Sequence, residues 1–475
     1  MVDKSNLSPS AGAKEISITC IILIGVAIAV LVFCTGVFTF GFLFYRQQML
    51  SLAQTTTPAP TATLVPTDTP VPTDTPAPTD TPLPPTNPPP AADTPVPESP
   101  SAEPPPTDMS EPPTATPTPR PPKSLRMNSP EYGMQAFLWW RPETAHRDLE
   151  LIRDAGFTWV KQEFPWREIE GSAKGSFGWE RPDRIVAQVE EFGLDLVARI
   201  DSQPAWAGGG FPENGPPDNL QDLADFLYAM ASRYKGRIRA YQVYNEPNLN
   251  VAGRSEWGGR PPNPAEYTAL LKVAYQAIKQ ADPNAMVISA GLSPTSRWDD
   301  QAMPDEVFLK GMYAAGAKPY FDVFGAHGAG YKVPPETDPA VVARDPALNN
   351  NDPSPEERKR IYCFRHVEDL RRIMVENGDG DKQIALLEFG WTSDPIHPEY
   401  SWFSVTEEQK GDYLVRAYKY AKENWSPWIG LMSLIYVADP DWTEDDEQYW
   451  WAVTYPDYPV PRWRSAYIAV KNMPK

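Results

Sequence analysis

Ala240-Tyr241-Gln242-Val243-Tyr244-Asn245-Glu246-Pro247-Asn248 opens as a short apolar run and closes in polar residues around a proline. Residues 240–244 have the length and the aromatic and β-branched content of a buried strand. Pro247 cannot donate to a sheet ladder, so the strand has to stop before it. Glu246 is therefore presented just beyond a strand end. The pattern returns much later in Ile384-Ala385-Leu386-Leu387-Glu388-Phe389-Gly390-Trp391, where Glu388 ends an apolar run and Gly390 permits a tight backbone path.

Outward from these two stretches, apolar runs alternate with helical patterns to the end of the chain, as in an α/β fold. Strands are expected at 133–138, 158–162, 194–200, 240–244, 286–290, 323–326, 384–387 and 431–436. Helices are expected at 143–155, 183–192, 219–234, 264–281, 304–315, 356–377, 406–424 and 464–472. Pro264 suits a helix start, Asp282-Pro283 a stop, and Asn377-Gly378 a helix-to-strand turn. Asn377-Gly378-Asp379-Gly380-Asp381 has part of a calcium-loop pattern but lacks the closing glutamate. Eight strands, each followed by a helix, is the count of a (β/α)8 TIM barrel over residues 124–475. Such a barrel carries its chemistry on residues at the C-terminal strand ends, which is where Glu246 (strand four) and Glu388 (strand seven) fall.

These motifs resemble those of clan A glycoside hydrolases, most closely family 39-like enzymes and less closely family 5, over about residues 130–472. Asn245-Glu246-Pro247 is similar to the clan's strand-four motif, in which the asparagine binds the sugar 2-hydroxyl and the glutamate is the acid/base. Glu388-Phe389-Gly390-Trp391 is similar to the strand-seven nucleophile motif. Phe164-Pro165-Trp166 through Ile169-Glu170, then Gly175-Ser176-Phe177-Gly178-Trp179, resembles the second-strand stretch. Pro204-Ala205-Trp206-Ala207 resembles the third-strand loop. Family 5 enzymes typically keep an arginine near strand two, and Lys161-Gln162-Glu163 offers none.

The resemblance implies a retaining glycoside hydrolase acting on β-linked poly- or oligosaccharides through a glycosyl-enzyme, without cofactor or metal. Cleavage needs one carboxyl to protonate the leaving oxygen and a second to attack the anomeric carbon. It also implies substrate contacts from His327 after strand six, with Tyr331 or Tyr436 near the nucleophile. The same residues would serve a catalytically silent carbohydrate-binding or adhesion module, or a transglycosylase remodelling surface polysaccharide.

Sixteen tryptophans are an unusual load, and sugar rings stack their C–H faces on aromatic planes. Trp166, Trp206, Trp391 and Trp442 fall at or after expected strand ends and are candidate substrate contacts. The Pro-, Asp- and Asn-rich stretch 331–355 is long enough to wall one side of a cleft. Cys363 is expected in a helix as a packed or surface thiol, since Cys20 and Cys34 lie far away in the apolar N-terminus.

That N-terminus reads as a tail (1–15), then a transmembrane anchor (16–45) without a single charge, longer than the roughly 20 apolar residues a bilayer needs. Lys4 and Lys14 before the span against Arg46 after it favour a cytoplasmic tail. The next stretch, 46–123, repeats Pro-Thr-Asp-Thr-Pro at 66–70, 72–76 and 78–82. Such a composition buries no core and stays extended, so it is expected to be a disordered stalk holding a monomeric domain outside the cell membrane. A net charge of −19 argues against a nucleic-acid partner.

Overall fold

The computed structural model describes residues 124–475 apart from Ala252 and Gly253. The expected tail, anchor and stalk lie outside the described residues. Among the described residues no helix is long and apolar enough to cross a membrane.

Eight parallel strands close a barrel in chain order: β1 (Glu131–Gln135), β2 (Trp159–Pro165), β3 (Asp195–Asp201), β4 (Ala240–Val243), β5 (Met286–Ile288), β6 (Val323–Ala329), β7 (Gln383–Gly390) and β8 (Ile429–Leu434). Closure is made by β8 on β1, from Glu131 opposite Leu431 to Met134 opposite Leu434. This is the (β/α)8 fold expected from the alternation.

Each strand is followed by a helix: Ala145–Asp154, Glu180–Glu191, Leu220–Arg233, Pro264–Ala281, Asp305–Ala314, Val367–Glu376, Glu407–Asn424 and Ser465–Asn472. The local chemistry explains several boundaries. The Asn263 side chain accepts from the Ala265 and Glu266 amides to start one helix, and Thr406 with Gln409 forms a capping box at another. The helix expected across 356–377 is instead broken. Two 3-10 turns, Glu356–Ile361 and Phe364–His366, precede a helix that begins only at Val367. Extended backbone at Cys363 lets that thiol pack with Val333 and Val342, while Phe364 joins the main core. That burial outweighs the helical preference of the segment. Gly378 takes φ +71° after the helix, as the expected turn requires.

Side chains alternate between lumen and helix layer along each strand. The lumen floor is a separate apolar cluster that includes Trp159, Val197, Ala240, Ile288, Val323, Leu387 and Leu431. Stepping along two strands from this floor, the inward positions turn from apolar to charged: Trp159, Lys161, Glu163 on β2 and Val197, Arg199, Asp201 on β3. The apolar floor thus gives way to an ionic mouth.

Candidate active site

The β4 exit holds its carboxylate by backbone strain and pairing. Tyr244 and Glu246 have φ of +67° and +37°, a region that non-glycine residues enter at roughly 1–3 kcal/mol each. The Glu246 amide bonds the Gly291 carbonyl beyond β5 at 3.0 Å. Gln242, inward on β4, donates to Asn245 Oδ1 at 3.1 Å. That contact leaves the Asn245 amide N–H2 as the donor for a ligand.

Glu388 reaches the lumen by a different device. Ala385 and Leu387 belong to the lumen floor, so strict alternation would turn Glu388 toward the helices. Pairing of β6 with β7 slips at this point: Ala326 stands opposite Leu386, but the next residue, His327, stands opposite Glu388. The extra residue in β7 is a β-bulge that re-aims the carboxylate inward. Phe389 then faces the helix layer, against Phe364 and Tyr418.

Lys161 Nζ donates to Glu388 Oε1 at 2.6 Å, with the lysine almost fully buried. His327 Nδ1 lies 2.8 Å from Glu246 Oε1 and 3.8 Å from Glu388 Oε2. Its Nε2 meets no hydrogen-bond partner and packs where a Cβ at Gly291 would overlap it. Nδ1 is therefore the ring nitrogen committed to Glu246. Two oxygens at 2.8 and 3.8 Å from one atom are separated by no more than the sum of those distances.

Burial alone would push the Glu388 carboxyl up; the Lys161 ammonium, then His327 and the Arg199 guanidinium, outweigh it and hold the group at about 2. Arg199 in turn lies between Asp201 (2.6 Å) and Glu163 (3.2 Å). Burial and the neighbouring Asp201 push Glu163 up to about 8. Glu256, which accepts from Asn214 at 2.7 Å, is pushed up to about 7 by burial and the carboxylates of Asp201 and Glu246. One carboxylate is thus held well below the ordinary carboxylate range while two others in the same mouth are pushed above it.

Two cavities meet at this pair. An inner one of about 390 Å³ is lined by Lys161, Glu163, Arg199, Asn245 and Glu256, with Phe137, Tyr436 and Trp442 as its aromatic side. Trp442 packs edge-on against Phe137 at 5.0 Å and against Tyr436 at 5.2 Å. An outer one of about 560 Å³ adds His327, Tyr331, Tyr362, Trp402, Phe403 and Trp451. Glu246, Glu256, Glu388 and Tyr436 border both.

Of the residues singled out in the sequence, Asn245, Glu246, His327, Tyr331, Glu388, Tyr436 and Trp442 converge here. Among the described residues neither the Tyr331 nor the Tyr436 hydroxyl bonds to Glu388. Three expected tryptophans do not line either cavity. Trp166 is buried against Phe226 and donates to Glu170; Trp206 is edge-on to Trp166 and donates to the Glu170 carbonyl. Trp391 is fully buried and donates to the Val333 carbonyl at 3.1 Å, pinning the segment after β6. The chemistry that suits a sugar face suits a core equally well. The stretch 331–355 contributes Tyr331 to the outer cavity and holds a short helix, Pro339–Arg344.

Lys161, Glu163, Arg199 and Glu256 were not anticipated. The signal lies in the strands themselves: Lys161-x-Glu163 and Arg199-x-Asp201 place charges at every second, inward position of otherwise apolar runs. Lys161 also stands in the stretch that lacks an arginine, supplying the cation there. Elsewhere, Glu306, His366 and Asp369 bring three ligand atoms within 4.8 Å of one another. Cations already occupy that cluster, since Arg360 grips Asp369 with two 2.9 Å bonds, and His366 Nε2 is committed to Asp305.

The model of the cellulase family (glycosyl hydrolase family 5) matches residues 123–362, half of the chain, which includes β1 to β6 with Glu246 and His327. Among solved structures, a family 39 glycoside hydrolase from Bacteroides cellulosilyticus WH2 is similar at 20% identity and a TM-score of 0.53. The match covers 72% of this chain and 63% of that one, so the chain spans less than two thirds of it. A GH5_18 structure from Streptomyces cattleya in complex with GlcNAc is 14% identical with a TM-score of 0.52, over 73% of this chain and 79% of that one. A glucosidase from Croceicoccus marinus is 14% identical with a TM-score of 0.50, over 73% and 67%. At these identities the structures speak for the fold alone. No curated protein matches the sequence. Both families named from the motifs recur in these comparisons, and the chain belongs to the cellulase family, glycosyl hydrolase family 5, within clan A.

Proposed function

We propose that this glycosidase cleaves β-linked glycans with retention of configuration. The observation that carries the reading is the linked set Lys161–Glu388–His327–Glu246. A carboxylate held at about 2 is ionised throughout the physiological range and suits a nucleophile. Glu246 has no lysine or arginine within ion-pair distance among the described side chains, and suits the proton donor. The Glu246 carboxyl gives its proton to the glycosidic oxygen as the C1–O bond breaks. Glu388 attacks C1 from the opposite face to form a glycosyl ester, with the sugar ring in the inner cavity against Trp442. Water then enters from the outer cavity and attacks C1, Glu246 takes its proton, and Glu388 departs as carboxylate. Asn245 donates to a sugar hydroxyl beside C1. We also propose 16–45 as a membrane anchor and 46–123 as an extended stalk, on their composition.

The test is a reducing-sugar screen of the purified chain on xylan, glucan, mannan and galactan, followed by Glu388→Ala and Glu246→Ala on the best substrate. Loss of at least ~10³-fold in kcat is expected for Glu388→Ala, with first-formed product of retained anomeric configuration by NMR. A Glu388→Ala protein keeping more than a few per cent of the activity would falsify the assignment.

A further inference from the structure

The mouth of the barrel carries more negative charge than the reaction uses. Five carboxylates, Glu163, Asp201, Glu246, Glu256 and Glu388, surround two cations, Lys161 and Arg199. Both cations are committed, Lys161 to Glu388 and Arg199 to Asp201 and Glu163. The reaction itself calls for one ionised nucleophile and one acid; Glu163 and Glu256 are two further carboxyl groups facing the same cavity. A second observation points the same way. Gln135, inward on β1 and more than nine-tenths buried, lines this cavity, and its Oε1 meets no donor. On this wall Gln135 Oε1 is thus an acceptor left without a donor. In the outer cavity, Glu399 joins Glu246, Glu256 and Glu388.

We infer that the inner cavity is built for a sugar carrying a free ammonium group, an unacetylated amino sugar, with Glu163, Glu256 and Gln135 Oε1 as its acceptors. The inference rests on the glycosidase reading above. An ammonium offers three donors on a compact cation, which matches carboxylates spread around a wall. A bare metal ion fits less well, because it needs three ligand atoms converging on one point, and among the described residues the Glu306, His366 and Asp369 cluster has that property while these carboxylates do not. In the empty site, burial and neighbouring carboxylates push Glu163 and Glu256 up, so partial protonation lowers the excess charge. An arriving ammonium replaces those protons, so the cavity selects a cation without having to hold bare charges beforehand. A uronate would meet the opposite field and be repelled.

The experiment compares β-1,4-linked tetramers of glucosamine, N-acetylglucosamine, glucose and glucuronate with the full chain at low and high salt. We expect kcat/KM for the glucosamine tetramer to exceed that for the N-acetylglucosamine tetramer by at least about tenfold at low salt, to shrink toward parity in 0.5 M NaCl (about a 4 Å Debye length), and to be lowest for glucuronate. Glu163→Gln and Glu256→Gln should each lower the glucosamine-to-acetylglucosamine ratio by about threefold or more, the ratio being read because it is insensitive to the amount of folded protein. Equal or better turnover of the acetylated tetramer, or a ratio unmoved in both variants, overturns the inference while leaving the glycosidase reading intact. Should no tetramer be cleaved, the polysaccharide screen still decides the glycosidase reading, and calorimetric binding decides this one. Tighter binding of the glucosamine tetramer than of the acetylated one upholds it, and equal or no binding overturns it.

Discussion

Lys161 is the residue on which the electrostatics turn. It donates to Glu388 in a setting where burial would otherwise push that carboxyl up. In Lys161→Met the opposing pull is gone, Glu388 rises above its present value, and a smaller fraction is ionised at any acidic pH. The kcat/KM profile between pH 3.5 and 8 should therefore lose its acid side and recover as pH increases; superposition on the parent profile would refute the role. The depressed value also contributes stability above the ordinary carboxylate range that is lost as pH falls toward about 2. Stranding a buried carboxylate destabilises by about 3–5 kcal/mol, which a thermal melt of the variant will register. At this scale the sequence was readable where a polar residue follows an apolar strand, as at Asn245, Glu246 and Glu388. It was not readable at Lys161 or Arg199, because a charge within a strand reads equally as a solvated face. Only knowing which face looks into the lumen separates the two.

Among elements, the strands were legible because their apolar runs are short and bounded, and the barrel followed from counting them. The segment 356–377 was not, since its helical pattern ignores the need to bury Cys363 and Phe364 side by side. The aromatic loops show the same limit. Trp391 and Trp442 both follow strand ends, yet one pins the segment after β6 and the other lines the inner cavity. Trp391→Ala should cost about 3–5 kcal/mol in urea unfolding with KM little changed in the protein that remains folded. Trp442→Ala, at a half-buried position, should leave the unfolding midpoint nearly in place and raise KM by about fivefold or more, as expected for loss of a stacking plane. Exchange of these two outcomes would reverse the assignment of which ring touches substrate.

Over the whole molecule, the barrel of residues 124–475 contains every residue of the proposed chemistry, and 16–45 and 46–123 are proposed, on composition, as anchor and stalk. On that reading the full chain should sediment with membranes and resist alkaline carbonate extraction. Limited proteolysis within the proline-rich stretch should then release a fragment with the parent kcat/KM. A chain that partitions to the soluble fraction intact would show that the apolar segment does not anchor it.

The slip between β6 and β7 has a consequence for anyone transplanting this site. Up to Leu387 the strand counts inward residues as odd numbers, and after the slip the count is even. An aligner that trusts alternation will place Glu388 on the wrong side of the wall. A designer who copies the glutamate onto a regular strand will aim it at helices instead of sugar. The portable unit is the glutamate together with the one surplus residue behind it.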